Sequence, residues 1–250
     1  MNAKKLSFLL LILVAVACTN RSTSSEQDEV RHWNNVLQQI NALLLENKAQ
    51  QTLDLAKQTL PEILESAEKN GTTDTLIYYA RKIFNACGNN YINTKQYKDG
   101  IDYMDSIGNH PLIREHCPHE LLSFKAGLNQ LYGNNPEAVR LAEDYLQLPV
   151  CTSANDFIRQ AEIISGVYMY SGNNLPKAIQ ILEKAIDVYR KGGNFPNMLR
   201  IMSRLGIYYH LSGEYEKAIA TNQEAIATYN DSIAPGNVAV SYTHLTLPTN

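Results

Sequence analysis

Leu205-Gly206-Ile207-Tyr208-Tyr209-His210-Leu211-Ser212-Gly213-Glu214-Tyr215-Glu216-Lys217-Ala218-Ile219, running on through Glu224-Ala225-Ile226, places two small residues, Gly206 and Ala218, twelve positions apart. The same pairing recurs upstream at Gly166/Ala178, Ala126/Ala138 and Gly88/Gly100, with second members at steps of 38, 40 and 40 residues. No strand-like alternation lies between them. A period near 40 without alternation predicts an all-α chain in which each unit is a helical hairpin whose core is completed by stacking on its neighbours. Such an array offers a binding surface rather than a reaction centre.

The quoted stretch resembles a tetratricopeptide repeat on Leu205, Gly206, Tyr209, Gly213, Tyr215, Ala218 and Ala225. Small residues suit the point where two helices cross, because a larger side chain would hold the axes beyond the ~8–10 Å of tight packing. Gly213 can adopt the left-handed conformation that ends a helix, and the tyrosines fill the wedge between helices. Departures from the pattern are Asn222 at a usually large apolar position, Asn230 in place of Pro, Met169 and Asn129 at the aromatic position, Tyr145 for the later Ala, and an extra Asn173-Asn174 in one turn. The resemblance implies an α-solenoid of antiparallel hairpins over residues 72–232, at about 73–108, 118–147, 154–191 and 195–231.

The N-terminus reads as an export signal: Lys4 and Lys5, an apolar run from Leu6 to Val14, then Ala15-Val16-Ala17-Cys18. Small residues directly before a Cys resemble a bacterial lipoprotein signal, with Ala15 where Leu is usual, and imply diacylation of Cys18 and a membrane anchor. Plain cleavage with Cys18 as a bystander and an uncleaved helix are the competing readings, the latter from a run shorter than the ~20 residues of a span. Residues 19–29 are then a polar tether. Residues 30–71 form degenerate capping helices, one with Val30, Trp33, Val36, Ile40, Leu43 and Leu44 on its apolar face and a second that Pro61 kinks or divides.

At the other end, Val240 to Thr249 back-translates as GTC TCT TAT ACA CAT CTG ACG CTG CCG ACG, which resembles the transposon-end adapter used to prepare sequencing libraries. The expectation is that native sequence stops near Ala239 in a truncated gene. Residues 233–239 would begin a further repeat, and 240–250 would carry no function.

Formal net charge is −3, and no Lys/Arg cluster interleaved with aromatics appears, which argues against nucleic acid as a partner of this segment. There is no P-loop, dinucleotide fingerprint, nucleophile elbow or zinc helix, so neither catalytic residue nor cofactor is expected. The carboxylate pairs Asp28/Glu29 and Glu143/Asp144 read as tether or solvated face. His110, His116, Cys117 and His119 contain good zinc-ligand types, but their spacing fits no common site; a polar turn between repeats is the preferred reading. Cys117 and Cys151 each precede a first helix, which leaves a disulfide between adjacent repeats open, while Cys87 reads as a buried small residue beside Gly88.

Protein or peptide binding is the expected activity, on the concave side that the first helix of each hairpin lines in this family. Alignment on Gly88, Ala126, Gly166 and Gly206 places Lys82, Asn85, Asn89, Glu120, Ser123, Gln130, Gln160, Tyr170, Arg200, Ser203 and His210 there. The Lys/Asn clamp by which some members hold a peptide C-terminus is incomplete, since Glu120 and Ser123 give Lys82 no basic partner. Two readings of the whole protein follow: a lipid-anchored extracytoplasmic repeat scaffold, or the periplasmic sensory arm of a membrane signalling protein with a helix-turn-helix or histidine-kinase module. The exported arrays of such regulators in Bacteroidetes are similar.

Overall fold

A computed structural model describes residues 27–149, 154–192 and 195–232, and every regular element among them is an α-helix. These are α1 (27–45), α2 (Ala49–Asn70), α3 (Asp74–Asn93), α4 (Tyr97–Ile107), α5 (Pro111–His116), α6 (Pro118–Tyr132), α7 (Asn135–Gln147), α8 (Ala154–Tyr170), α9 (Leu175–Gly192), α10 (Phe195–Leu211) and α11 (Tyr215–Ser232). The fold is an all-α array of antiparallel hairpins of the α-solenoid class. Cys18 and the export signal, residues 19–26, Cys151, 233–239 and 240–250 lie outside the described residues.

The helices divide into two compact units, one running to Gln96 and including Asn109–His116, the other comprising Tyr97–Gly108 and the chain from Cys117. In the first, α1 buries Trp33, Val36 and Ile40 at helical spacing, and Trp33 meets Tyr79 of α3 with ring centroids 5.5 Å apart. Helices α2 and α3 pair through Leu53, Leu60, Ile63, Ile83, Phe84 and Cys87, all at most 1% exposed. Thr73 caps α3 by accepting the Leu76 N–H at 3.3 Å.

Two expectations are corrected here, and of the two outcomes expected at Pro61 division is ruled out. Residues 27–29 are helical rather than tether: Glu29 accepts the Ser66 hydroxyl at 2.8 Å, and Asp28 pairs with Arg31 one turn on. Pro61 does not divide the second helix, because it lies on the exposed face, where the acceptor it fails to satisfy can reach water. The stretch 110–119 is more than a polar turn. It contains α5, which starts with Pro111, is capped by the His110 ring accepting the Leu112 N–H at 3.2 Å, and buries Leu112 and Ile113.

The residues expected as a hairpin over 73–108 are shared between the units, α3 pairing with α2 in the first and α4 packing on α6 in the second. The second unit stacks the hairpins α6/α7, α8/α9 and α10/α11, with α8 against α6 and α10 against α9. One core runs through it, including Leu141, Tyr145, Ile164, Val167, Tyr168, Leu182, Ile201 and Tyr208.

The turns explain the register. Lys95, Gly133, Asn173 and Gly213 all have positive φ (60°, 95°, 44° and 83°) and stand 38, 40 and 40 residues apart, in step with the small-residue spacing. At Gly133 the N–H bonds the Gln130 carbonyl and the next N–H bonds Asn129; Gly213 repeats this with His210 and Tyr209, and Lys95 with Ile92 and Tyr91. That paired bonding closes a helix and aims the chain back along it. The expected insertion at Asn173-Asn174 is corrected, since Gly166 to Ala178 spans the same twelve positions as Gly206 to Ala218; what differs there is the bonding, the Asn174 N–H reaching Tyr168 at 2.9 Å and Asn174 Oδ1 capping α9 through the Lys177 N–H.

Ala126, Ala138 and Ala178 are fully buried and Ala218 is 6% exposed, as small crossing residues should be. The glycines differ. A Cβ on Gly206 would stand 2.4 Å from Asn222 Oδ1 of α11, whereas one on Gly166 would meet only Gln130 Oε1 at 3.8 Å. Gly166 is therefore not held small by its own hairpin partner. Gly166→Ala is expected to stabilise the fold by about 1 kcal/mol by removing a mid-helix glycine. Gly206→Ala should give none of that gain, and paired urea titrations read the difference.

Candidate functional site

The candidate surface is the first-helix face, and burial divides the expected residues. Lys82 is exposed over the Tyr78 ring, with Asn85 and Asn89 half-buried on the same helix, α3. Glu120, Ser123 and Gln160 are at most 2% exposed, which corrects their place in the lining. Ser123 Oγ donates to the Glu120 carbonyl, and Gln160 Oε1 accepts the Tyr145 hydroxyl at 3.1 Å, so both serve the interior. Gln130 and Ser203 are half-buried, while Tyr170, Arg200 and His210 face solvent; Tyr170 is 67% exposed.

Between α8 and α10 the structure assembles a group that position-by-position alignment did not reveal. Glu162, 3% exposed, lies beneath three arginines. Its carboxylate is 2.6 Å from Arg200 Nη2 and 3.7 Å from Arg159 Nη1, and its backbone carbonyl accepts from Arg204 Nη1 at 2.9 Å and from Ser165 Oγ at 3.0 Å. Burial, together with the positive charge of Arg200 and Arg204, holds Arg159 below the usual arginine range against the opposing pull of Glu162. Tyr208 is buried beside them, and desolvation pushes its hydroxyl up. The sequence signal was available: Arg200 and Arg204 follow Glu162 by 38 and 42 residues, straddling the repeat period, so stacking must bring both alongside it.

In two clefts elsewhere the basic side chains already pair with carboxylates of the same cleft. One of about 320 Å³ among α9, α10 and α11 contains Glu183, Asp187, Arg190 and Glu224, but Arg190 pairs with Glu224 at 2.6 Å and Asp187 at 3.3 Å, and the Tyr209 hydroxyl donates to Glu183. The other, about 300 Å³ between α1 and α2, has His32 on Glu62 and Lys69 on Glu65.

The His/Cys segment does structural work. His110 bonds Glu68 at 3.2 Å as well as capping α5, the His116 carbonyl accepts from Arg81, and His119 bonds the Pro149 carbonyl at 2.7 Å. Cys87 and Cys117 are both buried, and the proposed pairing of Cys117 involves Cys151, outside the described residues. Among the described residues, no group of three or more His, Cys, Asp or Glu could hold a metal ion, and no helix is long and apolar enough to cross a membrane.

The hairpins α8/α9 and α10/α11, with their forty-residue turn register, decide the comparison. Residues 161–231 match the tetratricopeptide repeat family. The TPR-like repeats of a kinesin light chain-type protein from Podosopora anserina share the fold at 12% identity, covering 81% of this chain and 96% of that one with a TM-score of 0.51. BtubC (BKLC) from P. vanneervenii is similar at 12% identity, with 75% of this chain and 76% of that one covered and a TM-score of 0.55. No curated protein shows significant sequence similarity to the chain. Tetratricopeptide repeats generally mediate protein–protein interaction, and a scaffold of this kind is typically non-catalytic.

Proposed function

We propose that this chain is a non-enzymatic scaffold that binds a protein or peptide on the first-helix face of its tetratricopeptide repeats, held in the cell envelope by acylation of Cys18. The observation that carries the binding reading is the solvent-facing set on α8 and α10, Tyr170, Arg200 and His210, above a buried hairpin core. Tyrosine and arginine are, with tryptophan, the side chains most often dominant in protein recognition: tyrosine offers a large contact area with only two torsions to fix, and arginine a planar fork of five donors. The anchoring reading rests on the run Ala15-Val16-Ala17-Cys18 after an apolar segment. More than one acyl chain on such a cysteine would give stable attachment at ~0.8 kcal/mol per buried methylene.

Both halves are tested in one preparation of the full chain. Cys18→Ala is expected to abolish palmitate labelling and to move the protein from the membrane to the soluble fraction. A partner captured on the labelled protein is expected to be lost from Tyr170→Ala/Arg200→Ala, with helical circular dichroism unchanged. Label retained by Cys18→Ala removes the anchor; undiminished capture by the double variant removes the first-helix face.

A further inference from the structure

We infer that the outer face of the α10/α11 hairpin, built by Ile207 and Leu211 of α10 with Tyr215 and Ile219 of α11, pairs with the same face of a second copy of this chain.

The repeat register identifies this as a stacking face. Ile207 and Ile219 stand forty residues beyond Val167 and Ile179. Val167 is 0% exposed and Ile179 7%, and both belong to the core that α8 and α9 share with α10, which stacks on them. Ile207 and Ile219 are each 58% exposed. Ile226 is half-buried where its equivalent in α9, Ile186, is buried. The α10/α11 hairpin thus carries, at the positions its predecessor uses for stacking, large apolar side chains that no described element covers. The chain beyond Ser232 lies outside the described residues.

The four side chains form one patch. On each helix the two are four positions apart and so lie on one side, one turn above the other. Antiparallel pairing, with Gly206 of α10 against Asn222 of α11, brings Ile207 level with Ile219, and Leu211 level with Tyr215 beside the turn. Leu211 and Tyr215 are 54% and 59% exposed, and the Tyr215 ring leans on His210 with centroids 5.3 Å apart.

A second copy fits this patch by symmetry. None of the four side chains is charged, so two identical patches meet without like charges being forced together. A two-fold axis parallel to the helices sets α10 antiparallel to α11 of the second copy. Ile207 then lies opposite that copy's Ile219, and Leu211 opposite its Tyr215, so each apolar side chain meets another at the same height. Every contact is made twice, as an isologous interface requires, and the product is an antiparallel four-helix packing. At these exposures the four side chains present on the order of 450 Å² per copy, so pairing removes roughly 1,000 Å² with Ile226 at the margin, the size at which specific interfaces begin. An interface of that size gives a dimer that dissociates in the micromolar range.

The test is sedimentation velocity on the full chain carrying Cys18→Ala, so that no acyl chain contributes, over a series of micromolar concentrations. The sedimentation coefficient is expected to rise from the monomer value to the dimer value and no further. Ile207→Glu/Ile219→Glu should weaken pairing at least about tenfold, because closing the interface would then bury unpaired carboxylates. Ile207→Lys/Ile219→Lys should do the same alone, and an equal mixture of the two variants should recover the dimer, a rescue that loss of folding would not give. Leu45→Glu, at an exposed apolar side chain of α1, should leave the dimer unchanged. If the double variants lose helical circular dichroism, Ile219→Glu and Ile219→Lys are read in their place. A chain that stays monomeric throughout the series overturns the proposal and leaves the face to a later part of the chain or to another protein. Association that persists in the Glu variant, that grows past the dimer, or that the Glu/Lys mixture fails to restore overturns it equally.

Discussion

Leu182→Ala is expected to lower the unfolding free energy by about 2–5 kcal/mol. Leu182 is completely buried in the core of the second unit, with Ile186 one turn on and Val167 and Tyr168 among the α8 residues of the same core. Truncation removes three buried carbons, and the neighbouring hairpins limit how far the cavity can collapse. Forty residues later the same repeat position holds Asn222, whose Oδ1 is buried without a hydrogen-bond partner and lies against Gly206. Asn222→Leu is the reciprocal change. It replaces an unsatisfied polar atom by an apolar group of similar shape and should raise stability by about 1–3 kcal/mol. Urea titrations measure both, with Glu216→Ala on the exposed start of α11 as a control expected within about 0.5 kcal/mol. A Leu182→Ala variant at the level of that control would mean the position does not carry the core.

The repeat was legible because two independent constraints share its period. Small residues at Ala138, Ala178 and Ala218 and left-handed turns at Gly133, Asn173 and Gly213 each recur at forty, one set by helix crossing and the other by helix ending. The left-handed conformation at Lys95 was not legible, since lysine has no preference for it and the backbone there is fixed by the bonds of the turn, whereas Asn173 is of the type that most readily takes it after glycine. Aligning single positions also mistook depth. Glu120 and Gln160 occupy the same repeat position as the exposed Lys82 and Arg200, but neighbouring elements close over them. Helical phase says which way a side chain points and not whether something covers it. The Glu162 cluster was missed for a related reason: its members occupy different positions of two repeats and meet only when the hairpins stack.

Ala178→Leu is expected to cost about 1–3 kcal/mol by overpacking, and more than Ala218→Leu. Both residues stand at the same place in their hairpins, near the start of the second helix, but their surroundings differ. Ala178 is fully buried, and its N–H bonds the Asn174 carbonyl at 3.1 Å. Asn174 is itself tied to both helices, through its N–H to Tyr168 on α8 and its side chain to the Lys177 N–H on α9. Lys177 in turn holds Glu143 of α7 at 2.6 Å and lies 4.5 Å from the centre of the Tyr168 ring. The two helices therefore cannot separate at this end without breaking the turn, and the added carbons must be met by strained rotamers. Ala218 is 6% exposed, and the next residue, Ile219, is 58% exposed, so α11 has room to tilt outward. Chemical denaturation of the two variants measures the difference directly. Equal penalties would show that the turn at Asn174 does not brace the α8/α9 crossing.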